Sequence, residues 1–325
     1  MKKMVSVLLA LLAVVGAAHA ENAAWLTYWD AEDAVSEAWA HAGGLDAIIV
    51  FEVFYDEVGE WVIPEETVML LDTMRGCGAP VYLSVVNDVQ KNDGSVAQKS
   101  RDFLAECLRE EASREAQVER ITALAEAYDI DGIEIDYENF KGDVDLWDQY
   151  VLFIARLYEE LSETGRGMRV VMECQAPQYA TFPEGPVYSC MCYNLYGYHS
   201  GPGPKANRDF LEQVGQRWQD MPGDVHMAFA TGGFLWRDGK VVKALREQDA
   251  NALLVNAGVQ AERDEASMQL TAEIPGDEGG TLWYSDGETL RFWRETLAAM
   301  GYRSFDLFRL AGNESASLDL FLNGE

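Results

Sequence analysis

The residues most able to do chemistry lie in one octapeptide, Asp131-Gly132-Ile133-Glu134-Ile135-Asp136-Tyr137-Glu138. Glu134, Asp136 and Glu138 are spaced by two, with Ile133, Ile135 and Tyr137 between them. On a strand this spacing puts the three carboxylates on one face and the apolar residues on the other. On a helix successive members would be rotated by roughly 200° and would not converge. The β-branched and aromatic filling favours the strand. Carboxylates this close cannot all ionise without mutual cost, so at least one holds its proton to higher pH, as a general acid must. Two other uses of such a row are a solvated face of an edge strand and a calcium or magnesium site. The flanking apolar residues point instead to a buried central strand.

A strand of this kind needs a scaffold, and the rest of the chain supplies one. Apolar runs with strand character recur at Ala24–Trp29, Leu45–Tyr55, Pro80–Val86, Gly132–Tyr137, Arg169–Cys174, Tyr188–Tyr193, Val225–Ala230 and Ser304–Leu310. Helical patterns separate them, among them Ala31–His41, Glu65–Arg75, Gln98–Arg109, Glu115–Tyr128, Asp145–Ser162, Asn207–Trp218 and Glu288–Met300. Lys240–Asn256 also reads as a helix, while Ser267–Glu273 and Thr281–Tyr284 read as short strands of an antiparallel excursion before the last βα units. Eight alternations predict a closed α/β barrel of the (β/α)8 type, in which chemistry gathers at the strand C-termini. The acidic strand is the fourth. Glu138 is therefore expected at the mouth, with Asp136 and Glu134 one and two steps deeper.

Composition narrows the setting. Lys2 and Lys3, the apolar run Val5–Val15 and Ala18-His19-Ala20 have the form of a cleavable export signal over residues 1–20, leaving a single catalytic domain over 21–325. The apolar run is shorter than the ~20 residues that span a bilayer, so no membrane span is expected. The protein is expected outside the cytoplasm, secreted, periplasmic or cell-wall-associated. A net charge of −30 argues against nucleic acid and anionic surfaces as partners. The five cysteines (Cys77, Cys107, Cys174, Cys190, Cys192) have no zinc spacing and read as core thiols. The four histidines form no metal cluster, so neither metal nor cofactor is expected, and nothing points beyond a monomer.

The acidic octapeptide resembles the DGxDxDxE signature of glycoside hydrolase family 18, the chitinase family. Met191-Cys192-Tyr193-Asn194 is similar to that family's second signature, M-x-Y-D/N, on the sixth strand. The segments Gly201-Pro202-Gly203-Pro204, Gly233-Phe234-x-Trp236, Trp283-Tyr284-Ser285-Asp286 and Phe308-Arg309-Leu310-Ala311 resemble the bacterial branch related to spore-cortex peptidoglycan hydrolases. The likeness runs from Ala24 to Glu314.

The resemblance implies hydrolysis of a β-1,4 bond beside an N-acetylated sugar, with retention, the substrate's acetamido oxygen acting as nucleophile. Glu138 would be the acid and then the base, Asp136 would orient the acetamido group, and Tyr193 would hydrogen-bond its oxygen. Asp131, Glu134, Asn194, Met191, Trp236 and Phe308 are the remaining candidates for the substrate site. Tyr28, Trp29, Glu52 and Arg309 lie at predicted strand ends where a sugar groove would form, and Asp286 either lines or caps the last βα unit. The partner implied is an N-acetylated glycan, peptidoglycan, cortex or chitooligosaccharide. Three positions depart from the family pattern: Glu134 stands for the usual Asp, Ser84-Val85-Val86-Asn87 for S-x-G-G, and Phe308 for the floor tryptophan. A catalytically weak, lectin-like barrel that binds amino-sugar glycans is the alternative these departures suggest.

Overall fold

The computed structural model describes residues 20–323; the segment expected to be an export signal lies, but for Ala20, outside the described residues. Eight parallel strands form the barrel: β1 (Asn22–Thr27), β2 (Ala47–Asp56), β3 (Val81–Gln90), β4 (Gly132–Asp136), β5 (Gly167–Glu173), β6 (Val187–Met191), β7 (Val225–Ala230) and β8 (Ser304–Leu310). Each pairs with the next, and β8 pairs with β1, Phe305 opposite Asn22, so the sheet closes on itself. Closure leaves no edge in the barrel, and the eightfold alternation is realised as predicted.

The period-two pattern sorts side chains between two layers. Ile133 and Ile135 of β4 are fully buried between sheet and helices, in the same core as Tyr150 and Phe153 of the helix Val144–Glu163. Glu134 and Asp136 face the barrel interior, whose apolar filling includes Trp25, Ile49, Val171 and Met191. At the lower end Tyr82 lies across β4 and β5: a Cβ on Gly132 would come within 2.3 Å of its ring, so glycine is required there.

Between β7 and β8 the chain builds a second, antiparallel sheet in the spatial order Lys240–Leu245, Gly232–Arg237, Gly280–Ser285, Leu270–Ile274, Glu262–Arg263. The antiparallel excursion is therefore present and larger than expected. Lys240–Leu245 is a strand, not the start of a helix; the helix runs Glu247–Ala257. Val241 and Val242 suit a strand, and pairing with Gly233–Arg237 supplies a ladder that local pattern does not reveal. Gly232–Arg237 lies inside this sheet, paired with Lys240–Leu245 on one side and Gly280–Ser285 on the other. No helix among the described residues is long and apolar enough to cross a membrane. The five thiols are unpaired, four of them buried.

Candidate active site

A cleft opens at the C-terminal end of the barrel, as two grooves of about 610 Å³ and 770 Å³. Glu138, Lys99, Tyr193, Asn194, Tyr198 and Phe308 line both, so Glu138 stands at their junction. β4 ends at Asp136, and Glu138 follows two residues on, at the mouth. Its position is fixed by Asn87, in the C-terminal half of the third strand. Glu138 N–H donates to Asn87 Oδ1 (2.9 Å) and Asn87 Nδ2 donates to Glu138 O (3.1 Å), with Asn87 itself 1% exposed.

The electrostatics of the mouth are set by burial and by one cation. Lys99 Nζ lies 2.5 Å from Glu138 Oε1. Burial pushes the Glu138 carboxyl above its usual range, Lys99 opposes the rise, and Glu173 and Asp88 add to it. Burial and then the Glu138 charge hold Asp136 well above the usual carboxylate range, against Lys99. Asp136 Oδ1 is buried with no hydrogen-bond partner among the described residues. With the Lys99 ammonium against Glu138 and Asp136 Oδ1 left unpartnered, the free protein favours charge on Glu138 and a proton on Asp136. Glu52, on the wall of the first groove, is pushed up to about 8 by burial, then by Asp88 and Glu138. A neutral carboxyl in that position can donate as well as accept a hydrogen bond.

Aromatic rings form the floor and rims. Phe308 stacks on Tyr193 (centroids 6.2 Å apart, 16° between planes) and meets Trp25 and Phe51 edgewise or tilted. Trp29 and Tyr198 stand at the rims, 46% and 74% exposed. Arg309 pairs with Asp30 and lies over the Trp29 ring, holding that rim. Met191 and Asn194 line the cleft, and Asn194 Nδ2 lies 3.9 Å from Met191 Sδ.

Three candidates are not brought to the cleft. Asp131 precedes β4, at the opposite end of the barrel, where its carboxylate accepts from Val81 N–H (2.8 Å) and pins β3 to β4. Trp236 is 1% exposed and packs edgewise on Phe234; Phe234 is the ring that reaches the second groove. Glu134 is fully buried and lines neither groove. Its two oxygens accept from Trp25 Nε1 (2.6 Å) and Arg169 Nε (3.1 Å). Arg169, directly opposite Glu134 in the β4–β5 register, also pairs with Asp306 (2.5 Å), which in turn bonds Ser189 and His226. Burial opposes ionisation of Asp306, yet Arg169 and His226 hold it at about 2. Glu134 is thus one end of a buried ion network below the site, not the start of a proton relay to Asp136. Its length, one methylene beyond Asp, fits a partner on the neighbouring strand. Asp286 caps the helix Gly287–Ala298 and pairs with Arg263 (2.6 Å), which settles its role as a cap. Among the described residues no group of three or more His, Cys, Asp or Glu is arranged to hold a metal ion.

Asp88, Lys99, Tyr198 and Lys205 belong to the cleft without having been singled out, and Asn87 was noted only as a departure from the family pattern. Asn87-Asp88 at the end of a predicted strand was a usable signal. Lys99 had none, because the loop that carries it is placed by the hairpin of Val96–Ala97 against the end of β3.

No family model matches the chain, and no curated protein does. Solved structures do. A chitinase from Chromobacterium violaceum is 18% identical, with a TM-score of 0.76 over 94% of this chain and 98% of that one. The spore cortex-lytic enzyme SleL from Bacillus cereus is 17% identical, with 0.78 over 94% and 74%. A class V chitinase from Nicotiana tobaccum is 12% identical, with 0.73 over 94% and 99%. The likeness shows that this chain shares their (β/α)8 barrel fold. The strands of that barrel place Asp136, Glu138, Tyr193 and Asn194 around one cleft.

Proposed function

We propose that this protein is an exported glycoside hydrolase of the family 18 type, cleaving β-1,4 bonds in N-acetylglucosamine-containing glycan with retention. The observation that carries the proposal is the convergence of Asp136, Glu138, Tyr193 and the Phe308 floor at the barrel mouth, in a cleft that extends to both sides of Glu138. Chitinases and cortex-lytic enzymes as structural neighbours support the reaction class.

In the proposed reaction a sugar ring rests on Phe308 with its acetamido group toward Asp136 and Tyr193. Glu138, having taken a proton, gives it to the glycosidic oxygen as the bond from C1 to that oxygen breaks. The acetamido carbonyl oxygen bonds to C1, and Asp136, now ionised, faces the resulting cationic ring. Water then attacks C1, gives its proton to Glu138 and expels the acetamido oxygen, restoring the sugar's configuration. The reaction therefore requires the proton favoured on Asp136 in the free protein to pass to Glu138. Entry of a sugar between Glu138 and Lys99 would drive that transfer by removing the cation that stabilises the Glu138 charge.

The same ion pair supports the second reading, a glycan-binding barrel of low activity, since a permanently charged Glu138 cannot act as an acid. Reducing-end release from peptidoglycan and from chitooligosaccharides by wild type and Glu138→Gln separates them. Release lost in Glu138→Gln supports hydrolysis. No release by the folded wild type from either substrate, with glycan binding retained, favours the binding protein.

A further inference from the structure

One residue of β2 breaks the alternation of its strand. Phe51 pairs with Ser84 and Val53 with Val85, so Glu52 is an extra residue in β2 against β3. Up to that point the pattern is regular: Ile48 and Val50 pack toward the helices, Ile49 and Phe51 into the barrel. Strict alternation would continue with Glu52 toward the helices and Val53 into the barrel. The extra residue reverses this. Val53 and Tyr55 lie in the core between sheet and helices, and Glu52 lines the first groove. Such a bulge re-aims a side chain, and the side chain it delivers to the cleft is a carboxyl.

The Glu52 carbonyl accepts from Thr67 Oγ1 (3.1 Å), and Thr67 is fully buried, so the backbone at this point is fixed. The residue is 9% exposed, yet its carboxyl makes no hydrogen bond or ion pair with any described residue. The groups that face it are Asp88 of β3, Asp136, Glu138, Lys99 and Tyr28, with Glu66 beyond Tyr28. The one cation among them, Lys99, is taken by Glu138. Burial, then Asp88 and Glu138, push the Glu52 carboxyl up to about 8. An uncharged carboxyl donates through its O–H and accepts at its carbonyl oxygen. It therefore presents the groove with a hydrogen-bonding group that works in both directions and that the protein itself leaves unused.

We propose that Glu52 is a specificity-determining sugar-binding residue of the first groove, its carboxyl donating to one hydroxyl and accepting from another on the sugar that rests against Trp29 and Phe51. This rests on the glycosidase reading and deepens it by assigning a residue that selects the ligand. The Phe51 ring meets Trp29 (centroids 5.9 Å apart) and Phe308 (5.8 Å) edgewise, so apolar rings and one two-way hydrogen-bonding group bound the same space. A pyranose is the complement of that space, with a face of C–H groups and a rim of hydroxyls that both donate and accept. The ionised carboxylate only accepts, so affinity is expected to fall as Glu52 loses its proton.

The probe is chitotetraose with sulfur in place of its glycosidic oxygens, and its Kd is measured by calorimetry for wild type, Glu52→Gln and Glu52→Leu at about pH 6 and about pH 9.5. At the lower pH Glu52→Leu is expected to bind about tenfold more weakly than wild type, as for hydrogen bonds lost in a buried site. Glu52→Gln keeps a donor and an acceptor and should stay within about threefold. At the higher pH wild type should weaken by about threefold or more relative to Glu52→Gln, a ratio in which titration common to both proteins cancels. Binding by Glu52→Leu equal to that of wild type at the lower pH overturns the proposal, as does a ratio of wild type to Glu52→Gln that does not change with pH, or no binding by wild type. Should Glu52→Leu prove unfolded by circular dichroism, the pH dependence of that ratio decides alone. Hydrolysis of ordinary chitotetraose is followed separately. The expected binding pattern without hydrolysis supports the proposal while the glycosidase reading fails; hydrolysis with full affinity in Glu52→Leu overturns the proposal while that reading stands.

Discussion

Replacing Asn87 with Ala tests whether the acid is positioned by the strand that carries it or by its neighbour. The carboxamide makes three side-chain hydrogen bonds, to Glu138 N–H (2.9 Å), Glu138 O (3.1 Å) and Ser100 O (3.3 Å). Ala leaves the Glu138 N–H without its partner next to the cleft, and the two carbonyls with one acceptor site empty. An orphaned buried donor costs about 1–3 kcal/mol and each lost carbonyl bond somewhat less, so the total is about 2–4 kcal/mol. At ~2 cal/mol/K per residue over roughly 300 residues, this corresponds to a Tm lower by about 5 °C. Glu138 sits beyond the end of β4, where no ladder holds it. A shift of about 1 Å in a reacting group costs ~100-fold in rate, so kcat should fall by about that factor while KM changes little. Calorimetry and steady-state hydrolysis of a chitooligosaccharide measure both. A variant destabilised as expected whose kcat stays within threefold of wild type refutes the positioning role.

Other perturbations have defined outcomes. Lys99→Met removes the cation that opposes protonation of Glu138, so the alkaline limb of kcat/KM against pH should move upward; a limb that stays in place would show that the ion pair does not persist in solution. Glu134→Gln leaves Arg169 short of one of its two buried counter-ions and should destabilise by about 3–5 kcal/mol in urea denaturation, with little change if the network is dispensable. Glu52, raised from 4.5 to about 8, is bound to its proton in the folded chain and not in the unfolded one between those values. Stability should therefore be fullest below about 4.5 and decline as pH rises to about 8, and Glu52→Gln should gain on wild type over that range by on the order of a few kcal/mol. An equal stability difference at pH 5 and pH 8.5 would contradict this.

The barrel and its acid were legible in the linear chain because both rest on period and punctuation. Alternation of strands and helices predicts closure, and spacing by two puts Glu134, Asp136 and Glu138 on one face with the isoleucines on the other. Local spacing cannot say how far along the strand a residue sits in the barrel, and so Asp131 was grouped with the site although it lies at the other end. Nor can it give cross-strand partners. Glu134 belongs to Arg169 because register sets them opposite each other, Lys99 meets Glu138 because a loop from β3 folds over β4, and Lys205 lacks a counter-ion because the chain buries it against Thr231 and Phe234. Sequence determined which side chains share a face. Only the tertiary structure decided which charges are paired and which are buried alone, because these depend on contacts between residues tens to hundreds of positions apart.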